Sequence, residues 1–171
     1  SRFVSLSEGV FKIYKPSVLS DEKDQVKLLK MRNIRSQNEK DTVIAKIKAG
    51  VDACLMLDII KNLPDYLSRD NDDYKYFSTG VTTIDDRMAN IVYFEQKDDI
   101  NLPLYCGELY IDSENYALLG ANIGINPRYV KSSTGMFIEK KSKEMGITPQ
   151  KITYSIYYKR WNDRYYINYV R

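Results

Sequence analysis

A chain of 171 residues in which 43% are hydrophobic and 29% are charged has the composition of a globular protein that can bury a sizeable core. The net charge of +3 is only mildly basic, and lysine and arginine are interspersed with aspartate and glutamate, which argues against a nucleic-acid-binding protein. No apolar run approaches the roughly 18–20 residues that a membrane-spanning helix requires.

The chain contains no histidine and only two cysteines, Cys54 and Cys106. The lack of histidine removes the usual general base near neutral pH, the commonest metal ligand and every Ser-His or Cys-His nucleophile pair. Both cysteines have apolar neighbours, so two free thiols are favoured over one disulfide. The acidic run at residues 70–73 lacks the glycine and the terminal glutamate of a calcium loop. We therefore expect neither a metal nor a cofactor.

The N-terminal residues Ser1-Arg2-Phe3 include neither an initiator methionine nor a signal-peptide pattern. We therefore expect the chain to be a piece excised from a longer protein. The first predicted elements are β-strands at residues 8–15 and 25–35, which Pro16 and a polar patch separate.

A long helix is predicted over about residues 41–62, because apolar residues recur there at spacings of three and four. A second apolar stripe beyond Gly50 makes this segment apolar on nearly every side, which indicates a helix enclosed by other structure. Pro64 follows closely, as expected near a helix end. A shorter helix is predicted over residues 135–145, with Gly146 as its C-terminal stop.

Three segments read as β-hairpins, at residues 74–96, 104–125 and 152–170, because alternating apolar and aromatic runs flank Asp or Asn residues at a turn. In the last of them the alternation places Tyr165, Ile167 and Tyr169 on one face. The predicted fold is a single α+β domain over residues 1–171. In it a curved antiparallel sheet, a meander resembling a half-barrel, packs on the long helix and the shorter one.

The 15 tyrosines are the most unusual feature of the composition, and many lie in the predicted hairpins. Tyrosine offers a rigid ring and a polar tip, so these hairpins could form an aromatic surface that binds a sugar or another ligand. The alternative is an ordinary amphipathic sheet, in which one face covers the core and the other meets solvent.

The carboxylates raise the question of catalysis. Alternation places Glu108 within a strand, on the face of Tyr110, whereas Asp112 and Glu114 belong to a turn, where aspartate can bond its own backbone. Asp58 lies in an apolar run, where desolvation would raise its pKa and suit acid–base chemistry. The alternative for Asp58 is a structural role through hydrogen bonds to the backbone or a pair with the next lysine.

The strand pattern as a whole resembles a known group of proteins. The matching segments are Glu8–Lys15, Ile91–Phe94, Leu104–Asp112 and Tyr116–Leu118. On these segments the chain resembles the region that follows the carboxypeptidase-regulatory-like domain in large cell-envelope proteins of Bacteroidetes. The order of strands and helix is further similar to lipoprotein-carrier folds, in which a half-open sheet shelters acyl chains.

This resemblance implies an extracytoplasmic protein, located in the periplasm or at the cell surface of a Gram-negative bacterium. It implies a non-enzymatic accessory or ligand-binding domain, whose partner is an apolar or lipid-like ligand or another envelope protein. The ligand pocket would lie between the long helix and the sheet, lined by Leu55, Ile59 and Tyr110. Two alternatives stay open: a carboxylate-dependent hydrolase-like enzyme using Asp58 with Glu108 or Asp112, and a structural spacer that binds other proteins.

Overall fold

The structure is a computed structural model that describes residues 5–16, 22–35, 46–47, 51–140 and 146–171. The chain divides into two compact units, Ser1–Ile44 and Ala45–Arg171. The expectation of a single domain over residues 1–171 stays a prediction.

The first unit contains an antiparallel hairpin of β1 (Ser5–Tyr14) and β2 (Gln25–Arg35), which confirms the two N-terminal strands. Residues paired directly across antiparallel strands point to the same face. Phe11 pairs with Leu28 on one face, whereas the ion pair of Glu8 with Arg32 lies on the other. Leu6 and Val10 lie on the face of Glu8, so apolar and polar side chains occur on both faces of the hairpin.

The second unit is built on a six-stranded antiparallel sheet whose spatial order is β10-β9-β7-β6-β5-β4. A separate pair of short strands, β3 and β8, accompanies it. The elements of this unit are β3 (Lys46–Ile47), α1 (Val51–Met56), β4 (Tyr74–Ile84), β5 (Arg87–Gln96), β6 (Tyr105–Asp112), β7 (Leu118–Ile125), α2 (Thr134–Phe137), β8 (Ile138–Lys140), β9 (Thr153–Trp161) and β10 (Arg164–Val170). Short 3₁₀ turns lie at Asp65–Leu67 and Val130–Ser133.

The three predicted hairpins are confirmed as β4–β5, β6–β7 and β9–β10. Two of them close through two-residue turns with positive φ, at Asp85-Asp86 and at Asn162-Asp163. Both central residues of such a turn adopt a left-handed conformation, which aspartate and asparagine tolerate better than most residues. The acidic and amide residues at these turns are therefore explained by backbone geometry.

The main hydrophobic core lies on one face of the sheet. Phe94 and Ile156 are fully buried there, and the ring of Tyr66 stacks on Phe94 with a centroid distance of 4.5 Å. Tyr66 and Ile59 belong to the segment 57–67, which is packed into this cluster. This face is therefore filled by side chains, and we call it the core face.

The prediction of a long helix over residues 41–62 is wrong. The helix α1 ends at Met56, residues 46–47 form a strand, and the remaining residues before Val51 lie outside the described residues. Beyond α1 the chain is held by tertiary bonds: the Ile59 N–H donates to the Tyr158 hydroxyl at 2.8 Å. The Asn62 amide also donates to the carbonyl of Leu55 at 3.1 Å, at the end of the helix.

The shorter predicted helix, 135–145, is also wrong in extent. Helix α2 has four residues, β8 follows it directly, and residues 141–145 lie outside the described residues. The fold is therefore mostly β and not an α+β fold with one long helix. Within the part of the chain that the structure describes, no helix has the length and apolarity needed to cross a membrane.

Candidate functional site

The face of the sheet opposite the core carries a row of side chains that crosses five strands. Cross-strand pairing joins Ile91 to Tyr110, Tyr110 to Gly120, Gly120 to Tyr157, and Tyr157 to Tyr169. The rings of Tyr110 and Tyr157 are nearly parallel, with an interplanar angle of 10° and a centroid distance of 6.2 Å. The Tyr157 and Tyr169 rings also lie 6.2 Å apart. We call Tyr110, Tyr157 and Tyr169 the tyrosine row.

Gly120 gives the tyrosine row its spacing. A Cβ atom at this position would lie 2.7 Å from Cδ1 of Tyr157 and 2.9 Å from the carbonyl oxygen of Ile156. Real Cβ atoms do not come this close to their neighbours. The missing side chain at Gly120 therefore leaves the space in which the Tyr157 ring crosses β7 and approaches Tyr110.

An irregularity in the β9–β10 pairing brings Tyr169 into the row. Ile167 pairs with Tyr158 on the core face, but the register then shifts, so that Tyr169 pairs with Tyr157. A bulge of this kind inserts one residue into a strand and redirects the side chains that follow it. The sequence-based prediction that Tyr165, Ile167 and Tyr169 share one face is therefore wrong for Tyr169.

The tyrosine row lines an open groove of about 500 Å³. Its described lining residues are Thr82, Thr83, Ile84, Asp85, Ile91, Tyr110, Tyr157, Asn168 and Tyr169. They include residues of β4 and of β10, the two edge strands, which would lie about 24 Å apart in a flat sheet at about 4.8 Å per strand. The groove therefore extends from one edge strand of the sheet to the other. We call this space the tyrosine groove.

A small hydrogen-bonded cluster fixes Tyr110 at the wall of the groove. Its hydroxyl donates to the Glu108 carboxylate at 2.8 Å and accepts from the side-chain amide of Asn122 at 2.6 Å. Burial and then this bond to Glu108 raise the pKa of Tyr110 to about 12. Glu108 is therefore on the face predicted for it, and Tyr110 keeps its proton well above neutral pH.

Asp112 is fully buried, although it lies next to a turn. Its carboxylate accepts hydrogen bonds from the Arg87 guanidinium and from the N–H groups of Glu114 and Asn115. The Arg87 bonds hold the pKa of Asp112 well below its usual range, against the opposing effect of burial. Such a carboxylate remains an anion and is a poor proton carrier, so its geometry fits the predicted turn role.

Asp58 lies on the core face, where it is 2% exposed. It forms a side-chain hydrogen bond with Tyr158, and burial and the nearby Asp58 carboxylate raise the pKa of that phenol. Glu108 and Asp112 lie on the opposite face, since strand alternation places them on the side of Tyr110. The structure thus does not bring Asp58 together with Glu108 or Asp112 in one cleft.

The three residues that the sequence suggested for a ligand pocket lie in different places. Ile59 is part of the core, Tyr110 lies in the groove on the opposite face, and Leu55 is a half-buried residue of α1. Sequence reasoning missed the groove residues Thr82, Asp85 and Asn168. The only signal that pointed toward this site was the clustering of tyrosines in the hairpins.

Both cysteines are free and half-buried, as the sequence favoured. Burial raises the pKa of each thiol, which keeps it in the less nucleophilic protonated form. Among the described residues, no cluster of three or more His, Cys, Asp or Glu side chains could hold a metal ion.

No protein-family model, no curated protein and no solved structure matches this chain. The tyrosine groove is therefore interpreted from its own chemistry.

Proposed function

We propose that this chain is a non-enzymatic carbohydrate-binding domain of a bacterial cell-envelope protein, and that the tyrosine groove holds the glycan. The observation that carries this proposal is the tyrosine row along one open groove, in which Tyr169 is exposed and Tyr110 is buried in a small cluster with Ala89 and Leu119 at the wall. The apolar faces of sugar rings pack on aromatic rings, and tyrosine also offers a hydroxyl at low entropic cost. The envelope location rests on the family resemblance of the strand pattern.

The rest of the groove lining favours a polar ligand over an acyl chain. Thr82, which pairs with Ala89 on the groove face, provides a hydroxyl group and Asn168 provides an amide, so hydrogen-bond donors and acceptors accompany the rings. Ligand sites of this kind combine apolar walls with a few polar groups that set orientation. A lipid would leave these polar groups without partners, which is costly.

A carboxylate-dependent hydrolase is less well supported. Glycoside hydrolysis needs two carboxyl groups about 5–10 Å apart that face the same bond. Asp112 is held by Arg87, whereas Asp58 lies on the core face. These acids thus have separate structural partners, and the groove is better suited to binding than to cleavage.

Isothermal titration calorimetry with a panel of soluble oligosaccharides tests this proposal. We expect at least one glycan to bind with a Kd in the micromolar to millimolar range, and Tyr157→Ala to weaken it about tenfold or more. The reason is that removing one stacked ring from a ligand site costs about 1–3 kcal/mol.

Trp161→Ala is the matched control, because Trp161 is an aromatic residue of the same hairpin but lies outside the groove lining and is 69% exposed. This variant should keep the affinity of the unaltered protein. If no glycan in the panel binds, or if Trp161→Ala and Tyr157→Ala lose affinity equally, the proposed function is contradicted.

A further inference from the structure

The charge of the tyrosine groove is opposite in sign to that of the whole chain. The chain has a net charge of +3, yet the described lining residues include the acidic Asp85 and neither lysine nor arginine. Arg87, close to Asp85 in the chain, is bound to Asp112 and Glu114, which compensate its charge. The described lining residues thus carry one formal negative charge, that of Asp85, whereas Lys159 lies on the same face of the sheet outside this lining.

The carboxylate of Glu108 influences the groove indirectly, through its hydrogen bond to Tyr110. Glu108 accepts the hydrogen bond of the Tyr110 hydroxyl, and the ring of the same tyrosine lines the groove. When a phenol donates a hydrogen bond to a carboxylate, electron density shifts from its oxygen into the aromatic ring. Chains of hydrogen bonds reinforce such polarisation. The face of an electron-rich aromatic ring attracts cations.

The acceptor character continues behind Tyr110. The side-chain amide nitrogen of Asn122 is used by the Tyr110 hydroxyl, whereas its oxygen Oδ1 is buried and has no hydrogen bond among the described residues. This buried oxygen is not part of the groove lining, so the acceptors that a ligand can reach are the Asp85 carboxylate and the faces of the tyrosine row. Each of them favours a positively charged ligand group.

We infer that the glycan held in the tyrosine groove is a polymer of amino sugars with free amines, whose ammonium groups are recognised by Asp85 and by the tyrosine row. This inference rests on the proposed function and narrows its ligand class. Binding is by hydrogen bonds, ion pairing and cation–π contact, with no covalent step. Neutral sugars would keep the stacking but lose the charge-dependent part of the affinity.

The test compares chitosan, chitin and cellulose oligosaccharides of equal length, which share one backbone and differ in a free amine, an acetylated amine or a hydroxyl. Calorimetry at about pH 5.5, well below the pKa of an amine, keeps the free amines charged. We expect the chitosan oligomer to bind about fivefold or more tightly than the other two, which corresponds to one partly exposed cation–π contact. This preference should shrink as salt is added.

Asp85→Asn is the decisive variant, because asparagine tolerates the φ of 46° at this turn position. It should lower the affinity for the chitosan oligomer about threefold or more and leave the cellulose oligomer unchanged. Asp86→Asn is the matched control: it removes the same charge from the same turn, at φ 62°, but Asp86 does not line the groove. This variant should keep the preference.

The outcomes separate the two proposals. Equal affinity for the three oligomers, or a preference for the acetylated or neutral one, would overturn the inference while the carbohydrate-binding function stands. Equal losses in Asp85→Asn and Asp86→Asn would also overturn it, since the charge would then act without contact. Absence of binding to all three oligomers and to the wider glycan panel would contradict both proposals.

Discussion

Arg87 at the start of β5 binds both oxygens of the Asp112 carboxylate at the end of β6. The same carboxylate accepts the N–H groups of Glu114 and Asn115, so it closes the turn that leads to β7. One buried acid thus fastens two neighbouring hairpins to each other. This bond lies on the groove face, where Asp112 pairs with Ala89.

Replacing Asp112 by asparagine should destabilise the second unit. The amide still accepts the turn N–H groups, but it leaves the guanidinium of Arg87, which is 27% exposed, paired only with the exposed carboxylate of Glu114. Removing one member of a buried ion pair costs about 3–5 kcal/mol, and the partial exposure of Arg87 reduces this to about 2 kcal/mol or more. Urea denaturation measures the change in the free energy of unfolding.

The control is Asp163→Asn, in the turn of β9–β10. Asp163 is also paired with an arginine, Arg160, but its side chain is 87% exposed. Surface pairs contribute about 0–1 kcal/mol, so this variant should stay within about 1 kcal/mol of the unaltered protein. Equal losses in the two variants would show that burial does not give the Asp112 bond its strength.

The Asp112 bond should also shape stability in acid. Arg87 lowers the pKa of this carboxyl in the folded state, whereas an unfolded aspartate titrates near 3.9. The stabilisation is therefore complete above about pH 4 and is lost as pH falls further toward the folded pKa. Between about pH 6 and pH 3 the unaltered protein should lose more free energy of unfolding than Asp112→Asn. Parallel pH profiles would contradict this.

At alkaline pH the buried tyrosines should make the folded protein less stable as the pH rises. Burial, as the largest cause, raises the pKa of Tyr93, Tyr110 and Tyr154 to about 12, against about 10 in an unfolded chain. Their contribution to stability is complete below about pH 10 and is lost as pH rises through about 12. Absorbance of phenolate should therefore appear in two phases in the folded protein and in one phase in urea. A single phase near pH 10 without urea would refute this.

A methyl group at Gly120 should disturb the tyrosine groove. In Gly120→Ala the new Cβ meets both the Tyr157 ring and the Ile156 carbonyl, and a sheet backbone cannot easily give way. We expect a loss of about 1–3 kcal/mol in stability and weaker glycan binding. Gly135→Ala is the control, because nothing lies within 4 Å of a Cβ there. Unchanged stability and affinity in Gly120→Ala would mean that the Tyr157 position does not depend on this glycine.

Local chemistry predicted the hairpins. Turn residues such as Asp85 and Asn162 and the alternation of the flanking strands act over a few residues, so one sequence is enough to recognise them. The role of Asp112 in its turn followed from the same local rule. The long helix was wrong because contacts distant in the chain decide that region, above all the bond between Ile59 and Tyr158.

The tyrosine groove could not be derived from the sequence for two physical reasons. The shift in register before Tyr169 depends on the partner strand, and period-two alternation alone places this residue on the wrong face. The groove also needs residues of both edge strands, β4 and β10, which are far apart in the chain. The clustering of tyrosines indicated an aromatic surface but not which rings form it.

Fluorine NMR of the protein labelled with 3-fluorotyrosine tests the central claim most directly, because each tyrosine reports its own surroundings. On titration with the tightest-binding oligosaccharide, the resonances of Tyr110, Tyr157 and Tyr169 should shift together along one binding curve. The resonances of the core tyrosines Tyr66 and Tyr158 should stay in place. Shifts confined to tyrosines outside the groove, or no shift at saturating glycan, would contradict the assignment of the tyrosine groove as the binding site.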